Sequence, residues 1–129
     1  MSPDKTEELF NKYPMLYRGK DKGPMKNLMC FGFECEDGWF DLVDELSRQI
    51  CELSPMTEAF QIKEKYGTLC FYVGGAESVV FDIIEEFEDC SSKICEVCSA
   101  PGKIRGDASI GHWIKTLCDG CAERKGYQV

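Results

Sequence analysis

The sequence has a single histidine and lacks the long apolar runs and the basic surplus that several classes of protein require. No uninterrupted apolar stretch approaches the roughly 18 residues of a membrane-spanning helix, and residues 1–10 carry charges in place of the apolar core of a secretory signal. The chain has 15 lysines and arginines against 23 aspartates and glutamates, a net charge of −8, which disfavours a generally basic nucleic-acid binder. These absences favour an acidic, cytoplasmic protein.

Cysteine is the residue type in excess, with nine in 129 residues. Disulfides are rare in a reducing compartment, so regularly spaced thiols there indicate a metal site. Two Cys-x-x-Cys pairs, Cys95/Cys98 and Cys118/Cys121, flank the 19 residues of 99–117, a separation typical of four-cysteine zinc sites. Each pair can direct two thiolates to one ion. We therefore predict one structural Zn²⁺ bound by these four cysteines, with two redox-active pairs or buried thiols as the alternative.

The remaining five cysteines show no comparable spacing. They are Cys30, Cys35, Cys51, Cys70 and Cys90. Because free cysteine is one of the most frequently buried residue types, we expect these thiols to pack in the core.

The apolar periodicity predicts an α+β core domain over residues 1–92, with helices packed on a β-hairpin. Helices are expected over about 3–13, 38–53 and 76–90, and the hairpin over about 58–73. The inward-facing side chains predicted for the second helix are Trp39, Leu42, Val43, Leu46, Ile50 and Leu53. Those predicted for the hairpin are Phe60, Ile62, Leu69, Phe71 and Val73, and those for the third helix are Val79, Val80, Ile83, Ile84 and Phe87.

Residues 93–129 are expected to form the zinc module. A knuckle at 95–102 precedes short predicted strands at 103–105 and 112–116, and a helix follows from Cys118. This order is that of a treble clef, and a ribbon with two knuckles is the alternative. Four cysteines close the coordination shell of a metal, and the single histidine, His112, has no identifiable catalytic partner. We therefore expect a binding protein and not an enzyme.

Acidic residues are concentrated before the zinc module: residues 1–90 have 9 bases and 19 acids, and residues 91–129 have 6 bases and 4 acids. The third helix has six acids with no base among them: Glu77, Asp82, Glu85, Glu86, Glu88 and Asp89. One interpretation is a solvated face that maintains solubility, and the other is a docking surface for a basic protein partner. The alternative function, nucleic-acid binding by the zinc module, would use Lys103, Arg105, Lys115 and Arg124.

Four segments of the chain resemble a family of small phage- and prophage-encoded proteins. Residues 34–46 and 61–72 are similar to segments of those proteins, residues 95–102 match their Cys-x-x-Cys-x-Ala-Pro-Gly, and residues 113–121 match their Trp-x-x-Thr-Leu-Cys-Asp-x-His. Cys121 stands where the family often has histidine, and either residue ligates zinc. The resemblance implies a mobile-element accessory protein in the cytoplasm of a bacterial host. We expect it to bind a host or phage protein through its acidic helices and to inhibit a host nucleic-acid-directed defence complex.

Overall fold

The computed structural model describes residues 1–106 and 113–128, and helices and strands are mixed within them. The α-helices are α1 (Pro3–Lys12), α2 (Phe40–Leu53), α3 (Ser78–Ser91) and α4 (Asp119–Arg124). The strands are β1 (Phe33–Glu34), β2 (Glu58–Lys65), β3 (Thr68–Gly74), β4 (Lys103–Arg105) and β5 (Lys115–Leu117). The predicted mixture of helices and a hairpin is confirmed. Within the described residues, no helix combines the length and the apolar character that crossing a bilayer requires.

A three-stranded sheet in the order β1-β2-β3 forms the middle of the fold. Strands β2 and β3 are antiparallel and are joined by Tyr66 and Gly67, whose φ angles of 52° and 83° are those of a two-residue turn with positive φ at both positions. Strand β1 pairs in parallel with β2, with Phe33 opposite Ile62. Periodicity cannot reveal β1, because two residues are too few to alternate.

A β-bulge in β2 changes which side chains face the core. The pairing shifts between Ala59, which lies opposite Val73, and Gln61, which lies opposite Tyr72. Phe60, the extra residue between them, is 37% exposed, whereas Ala59 is fully buried. The prediction that Phe60 faces inward is therefore wrong. A bulge arises from pairing with the neighbouring strand, which the alternation within one strand does not show.

One apolar core lies between the helices and one face of this sheet. Trp39, which immediately precedes α2, is fully buried at its centre. The other buried members from α2, α3 and the hairpin are Phe40, Val43, Leu46, Ile50, Ala59, Ile62, Leu69, Phe71, Val80 and Ile84. Leu53 and Val79, which were also predicted to face inward, are 49% and 44% exposed. Each of these two lies in a terminal turn of its helix, away from the middle turns that cover the sheet.

Helix α3 covers the outer edge of β3 with polar side chains. The buried hydroxyl of Ser91 accepts a hydrogen bond from the Leu69 N–H (2.8 Å) and donates to the Glu88 carbonyl (2.5 Å). The carboxylate of Glu88 accepts from the Phe71 N–H at 2.9 Å. Because buried N–H groups need partners, these contacts hold α3 against the sheet.

The C-terminal part follows α3 with a tight turn and continues into the antiparallel β4–β5 pair. An isolated bridge between Ile94 and Pro101 closes the tight turn. The first predicted strand of this part is confirmed as β4. The second lies at Lys115–Leu117 rather than at 112–116, and His112 is outside the described residues.

Candidate metal centre

Four cysteine thiols lie together beside the β4–β5 pair and α4. The Sγ atoms of Cys95, Cys98, Cys118 and Cys121 are all within 4.8 Å of one another. Those of Cys98 and Cys118 are 3.5 Å apart. Within residues 1–106 and 113–128, this is the only such group of metal-ligating side chains. The fold thus brings together the four residues whose spacing suggested a metal site.

The first pair is presented by a tight backbone turn. The Cys95 N–H donates to the Ala100 carbonyl (2.7 Å), and the Ser99 N–H donates to the Cys95 carbonyl (3.0 Å). Ser99 has a φ of 72°, in the left-handed region that residues with side chains rarely adopt. A Cβ on Gly102 would lie 3.0 Å from both the Cys95 nitrogen and the Leu117 carbonyl carbon. Glycine at 102 therefore allows the turn to approach β5 closely.

The second pair is placed by the start of α4. Cys118 is the N-cap residue, and its Sγ accepts a hydrogen bond from the Cys121 N–H at 3.4 Å. Cys121 lies in the helix and is 1% exposed. The Arg124 guanidinium donates to the Cys121 Sγ at 3.0 Å. Such donors stabilise thiolates over thiols, and the thiolate is the form that binds a metal.

The thiols of Cys118 and Cys121 differ in pKa because they differ in hydrogen bonding and in burial. The Cys121 N–H, followed by the neighbouring Cys98, lowers the pKa of Cys118 to about 7. Burial, reinforced by the thiols of Cys118 and Cys98, raises the pKa of Cys121 to about 12. One thiol of the cluster thus ionises readily, and the negative charge of that thiolate opposes ionisation of the other thiols. A bound cation would compensate the negative charges and favour all four thiolates.

The separations fit a tetrahedral site with four sulfur ligands. A metal–sulfur bond of about 2.3 Å places the sulfurs of a regular tetrahedron about 3.8 Å apart. This value lies between the 3.5 Å of the Cys98–Cys118 pair and the 4.8 Å limit for the whole group. Four thiolates suit Zn²⁺ or iron, whereas Mg²⁺ and Ca²⁺ select oxygen ligands. The cluster is therefore a candidate site for a thiophilic metal ion.

Glu96 anchors the cysteine turn to the core and is only 1% exposed. Its carbonyl accepts from the Gly38 N–H at 2.7 Å, and its carboxylate accepts from the Glu36 N–H at 3.0 Å. Burial raises the pKa of Glu96, while Lys115, whose Nζ is 3.3 Å from the carboxylate, acts to lower it. Sequence reasoning missed this anchor because Glu36 and Glu96 are 60 positions apart.

Gly38 lies so close to the cysteine turn that it has no room for a side chain. A Cβ there would lie 2.3 Å from the Cys95 carbonyl oxygen and 2.4 Å from that of Glu96. The Ser99 hydroxyl donates to the Gly38 carbonyl at 2.6 Å. The Trp39 indole N–H donates to the carbonyl that precedes Cys95 at 2.9 Å. The segment leading into α2 therefore packs directly on the first cysteine pair.

The four cysteines belong to the C-terminal part of the chain, residues 93–106 and 113–128 of the structure, which we call the cysteine module. The turn between β2 and β3 makes a second contact with this module. The Thr116 hydroxyl donates to the Gly67 carbonyl at 2.6 Å. The neighbouring Lys115 forms an ion pair with Glu64, with 2.7 Å between Nζ and Oε1. The module is thus held to the core through β5 as well as through the cysteine turn.

Three of the four basic residues proposed for nucleic-acid binding form hydrogen bonds or ion pairs within the chain. Arg105 is 7% exposed, and its guanidinium donates to a β5 carbonyl at 2.9 Å and to Asp119 at 2.5 Å. Lys115 and Arg124 make the contacts already described. Lys103 is exposed and has no ion pair within the described residues. This arrangement disfavours a phosphate-binding surface on the module.

Most of the acidic residues of the third helix are exposed, as a partner surface requires. The exposed ones are Glu77, Asp82, Glu85, Glu86 and Asp89. None of them forms an ion pair with another residue of the described chain. Glu88 differs because it is half-buried and belongs to the contact between α3 and β3. Burial raises the pKa of Glu88, and the Phe71 N–H opposes that effect.

The five other cysteines lie outside the thiol cluster. Cys35 is buried, and burial raises its pKa to about 12. Cys51 and Cys70 are half-buried, whereas Cys30 and Cys90 are exposed. The expectation of core packing is therefore wrong for Cys30 and Cys90.

A likeness to other proteins would add an expectation of function by analogy. Comparisons of this chain with protein families, with curated proteins and with solved structures find no match.

Proposed function

We propose that the four cysteines hold one structural Zn²⁺ ion. Two Cys-x-x-Cys pairs, one on a tight turn and one at a helix start, are a common frame for a four-cysteine zinc site. The order of cysteine turn, β4–β5 and ligand-bearing α4 supports a treble-clef-like module over a ribbon, in which both pairs would lie on turns. Four thiolates close the coordination shell, so the ion stabilises the fold and leaves no position for a substrate.

Metal analysis of the purified chain tests the zinc assignment. We expect one zinc per chain in native mass spectrometry, confirmed by elemental analysis. Cys118→Ser removes a ligand and is expected to abolish stoichiometric binding. Cys90→Ser is the matched control, because that thiol is exposed and outside the cluster. Iron in place of zinc would contradict the assignment, as would a metal-free chain whose mass shows disulfides.

We further propose that the outer face of α3 binds a protein partner. The observation that carries this proposal is the exposure of Val79 (44%) and Phe81 (51%) beside carboxylates that form no ion pair with any residue the structure describes. An aromatic side chain within a polar rim is typical of the energetic centre of a protein interface. The acidic rim, formed by Glu77, Asp82, Glu85, Glu86 and Asp89, favours a basic surface on the partner.

The partner that this charge favours is a nucleic-acid-handling complex of the host or the phage. Such a complex presents lysines and arginines to phosphates, and an acidic face competes for the same side chains. The phage resemblance of the sequence supports the same conclusion. The chain would then act by binding, as an accessory protein that inhibits a nucleic-acid-directed defence complex in the bacterial cytoplasm.

Variants of α3 test this interface against a change of net charge alone. Affinity would be measured by calorimetry for the protein that co-purifies with the chain from host cells. We expect Phe81→Ala and the double variant Glu85→Lys/Glu86→Lys each to lose about tenfold or more in affinity. Glu7→Lys/Glu8→Lys makes the same change of charge on exposed positions of α1. An equal loss in the α1 variant, or no loss in either α3 variant, would contradict the proposed interface.

A further inference from the structure

The face of the central sheet that is turned away from the core carries polar and aromatic side chains. Three cross-strand pairs share this face, because paired residues point to the same side of a sheet. The pairs are Gln61 with Tyr72, Lys63 with Cys70, and Lys65 with Thr68. Helices α2 and α3 pack against the opposite face, which presents Ile62 and Phe71 to the core. The acidic outer face of α3 and the open face of the sheet are therefore separate surfaces.

Two aromatic rings stand at the end of the open face. Tyr66 is 68% exposed and Trp113 is 81% exposed. Together with Lys63, Glu64, Lys65 and Ile114 they line a shallow pocket of about 240 Å³, and the Glu64 carboxylate there is already paired with Lys115. The Trp113 backbone is held there by the Tyr127 hydroxyl, which donates to its carbonyl at 2.6 Å. The pocket is below the roughly 300 Å³ at which enclosed small-molecule sites begin, so it suits a flat ring lying against the two aromatics.

The backbone conformation of Tyr66 indicates that its side chain does not serve to stabilise the fold. Its φ of 52° occupies a turn position that glycine and asparagine fill more easily. Burial of the ring does not compensate for this unfavourable backbone conformation, because the ring is mostly exposed. A strained residue with an exposed ring points to a role in binding.

The lysines beside these rings are available to a ligand. Neither Lys63 nor Lys65 forms an ion pair with another described residue, although the chain has an excess of acids. The Nζ of Lys65 lies 5.7 Å from the centre of the Tyr66 ring. Free cations next to exposed aromatic rings are the combination that holds phosphates and bases of a single strand.

We propose that this open face binds single-stranded nucleic acid. Bases stack on Tyr66 and Trp113, and Lys63 and Lys65 neutralise the phosphates between them. The net charge of −8 repels a long polyanion, so the footprint is short and binding depends on stacking. Stacking is available to every base, so recognition is tolerant of sequence. This surface is distinct from the proposed α3 interface. It also does not use Lys103, Arg105, Lys115 or Arg124, the basic residues of the cysteine module.

The test is quenching of tryptophan fluorescence by an oligothymidine of about ten nucleotides. Trp39 is fully buried, so the change reports on Trp113. We expect saturable binding near 50 mM salt, with a slope of log affinity against log salt of about −1.4 for two lysines. Anisotropy of a labelled strand measures variants that lack Trp113. Tyr66→Asn and Trp113→Ala should each weaken binding by about 5- to 150-fold.

Matched variants separate stacking and local charge from loss of structure. Asparagine tolerates the positive φ at position 66, so Tyr66→Asn should bind less while unfolding no more easily. Lys63→Gln/Lys65→Gln should remove most of the salt dependence, whereas Lys26→Gln/Lys93→Gln, at exposed positions elsewhere, should not. Absence of binding, or unchanged affinity in both ring variants, would overturn the proposal. Equal affinity for polyglutamate or for adenosine monophosphate would also overturn it, by assigning the face to an acidic protein or a free nucleotide.

Discussion

Replacing Gly38 by alanine is expected to dislodge the cysteine module from the core, although the substitution removes none of the four cysteines. A Cβ at this position would lie 2.3 Å from the Cys95 carbonyl oxygen and 2.4 Å from the carbonyl carbon and oxygen of Glu96. These are backbone atoms of the turn that carries the first cysteine pair. They cannot move aside as the end of a flexible side chain can, so the whole turn must shift.

The size of the effect follows from the contacts that such a shift would break. The Gly38 N–H donates to the Glu96 carbonyl at 2.7 Å, and the Ser99 hydroxyl donates to the Gly38 carbonyl at 2.6 Å. Each hydrogen bond contributes about 1 kcal/mol, and forcing a methyl group into packed structure costs about 1–3 kcal/mol. We therefore expect Gly38→Ala to lower the free energy of unfolding by about 3–5 kcal/mol.

The assay is urea denaturation followed by circular dichroism, with zinc in excess for all variants. Gly120→Ala is the matched control, because a Cβ in α4 would meet only the Arg124 guanidinium, at 3.5 Å. Alanine is the better helix former, so this control should be unchanged or more stable by up to about 1 kcal/mol. Gly38→Ala should still bind one zinc per chain. A loss below about 1 kcal/mol would refute the inference that the module packs rigidly on the core.

Two further predictions concern the contact between α3 and β3. Ser91→Ala leaves the buried Leu69 N–H without its acceptor and should cost about 1–3 kcal/mol in urea denaturation, whereas the neighbouring Ser92→Ala should be nearly neutral; equal effects would contradict the assigned hydrogen bond. Burial raises the pKa of Glu88 above its ordinary 4.5, against the opposing Phe71 N–H, so the folded chain takes up a proton before the unfolded chain as pH falls. The wild type should therefore gain stability relative to Glu88→Gln as the pH falls from 7 to about 4.5, the ordinary pKa of the carboxyl group, and parallel stability curves would contradict this.

The elements that periodicity predicted are those that depend on local sequence. The main helices and the β2–β3 hairpin follow from apolar spacing, and Ser54–Pro55 ends α2 where a proline is expected to do so. The bulge at Phe60 and the short β1 depend on pairing with another strand. No pattern within a single segment could indicate them.

In the candidate site, too, the features that depend on local sequence could be predicted, and those that depend on distant contacts could not. The four cysteines could be identified because Cys-x-x-Cys spacing itself fixes how two thiols approach one ion. The sequence could not show whether the four basic residues proposed for nucleic-acid binding are free to bind phosphates. Lys115, for example, forms an ion pair with Glu64, which lies 51 positions away. Glu96 and Gly38 were likewise missed, since their importance lies in the fit between two distant segments. Composition shows which charges are present, whereas tertiary contacts determine which of them remain free.

The polar cap that α3 places on β3 also limits how this protein can associate. An added strand, from a peptide or from a second copy, would need the outward N–H groups of Leu69 and Phe71, and both are already bonded to side chains of the helix. The opposite edge is β1, whose two residues offer little template. Edge-to-edge polymerisation of the sheet is therefore disfavoured. Recognition by β-augmentation of this sheet is disfavoured too, so a partner that contacts the sheet is selected by side chains on its faces rather than by its main chain.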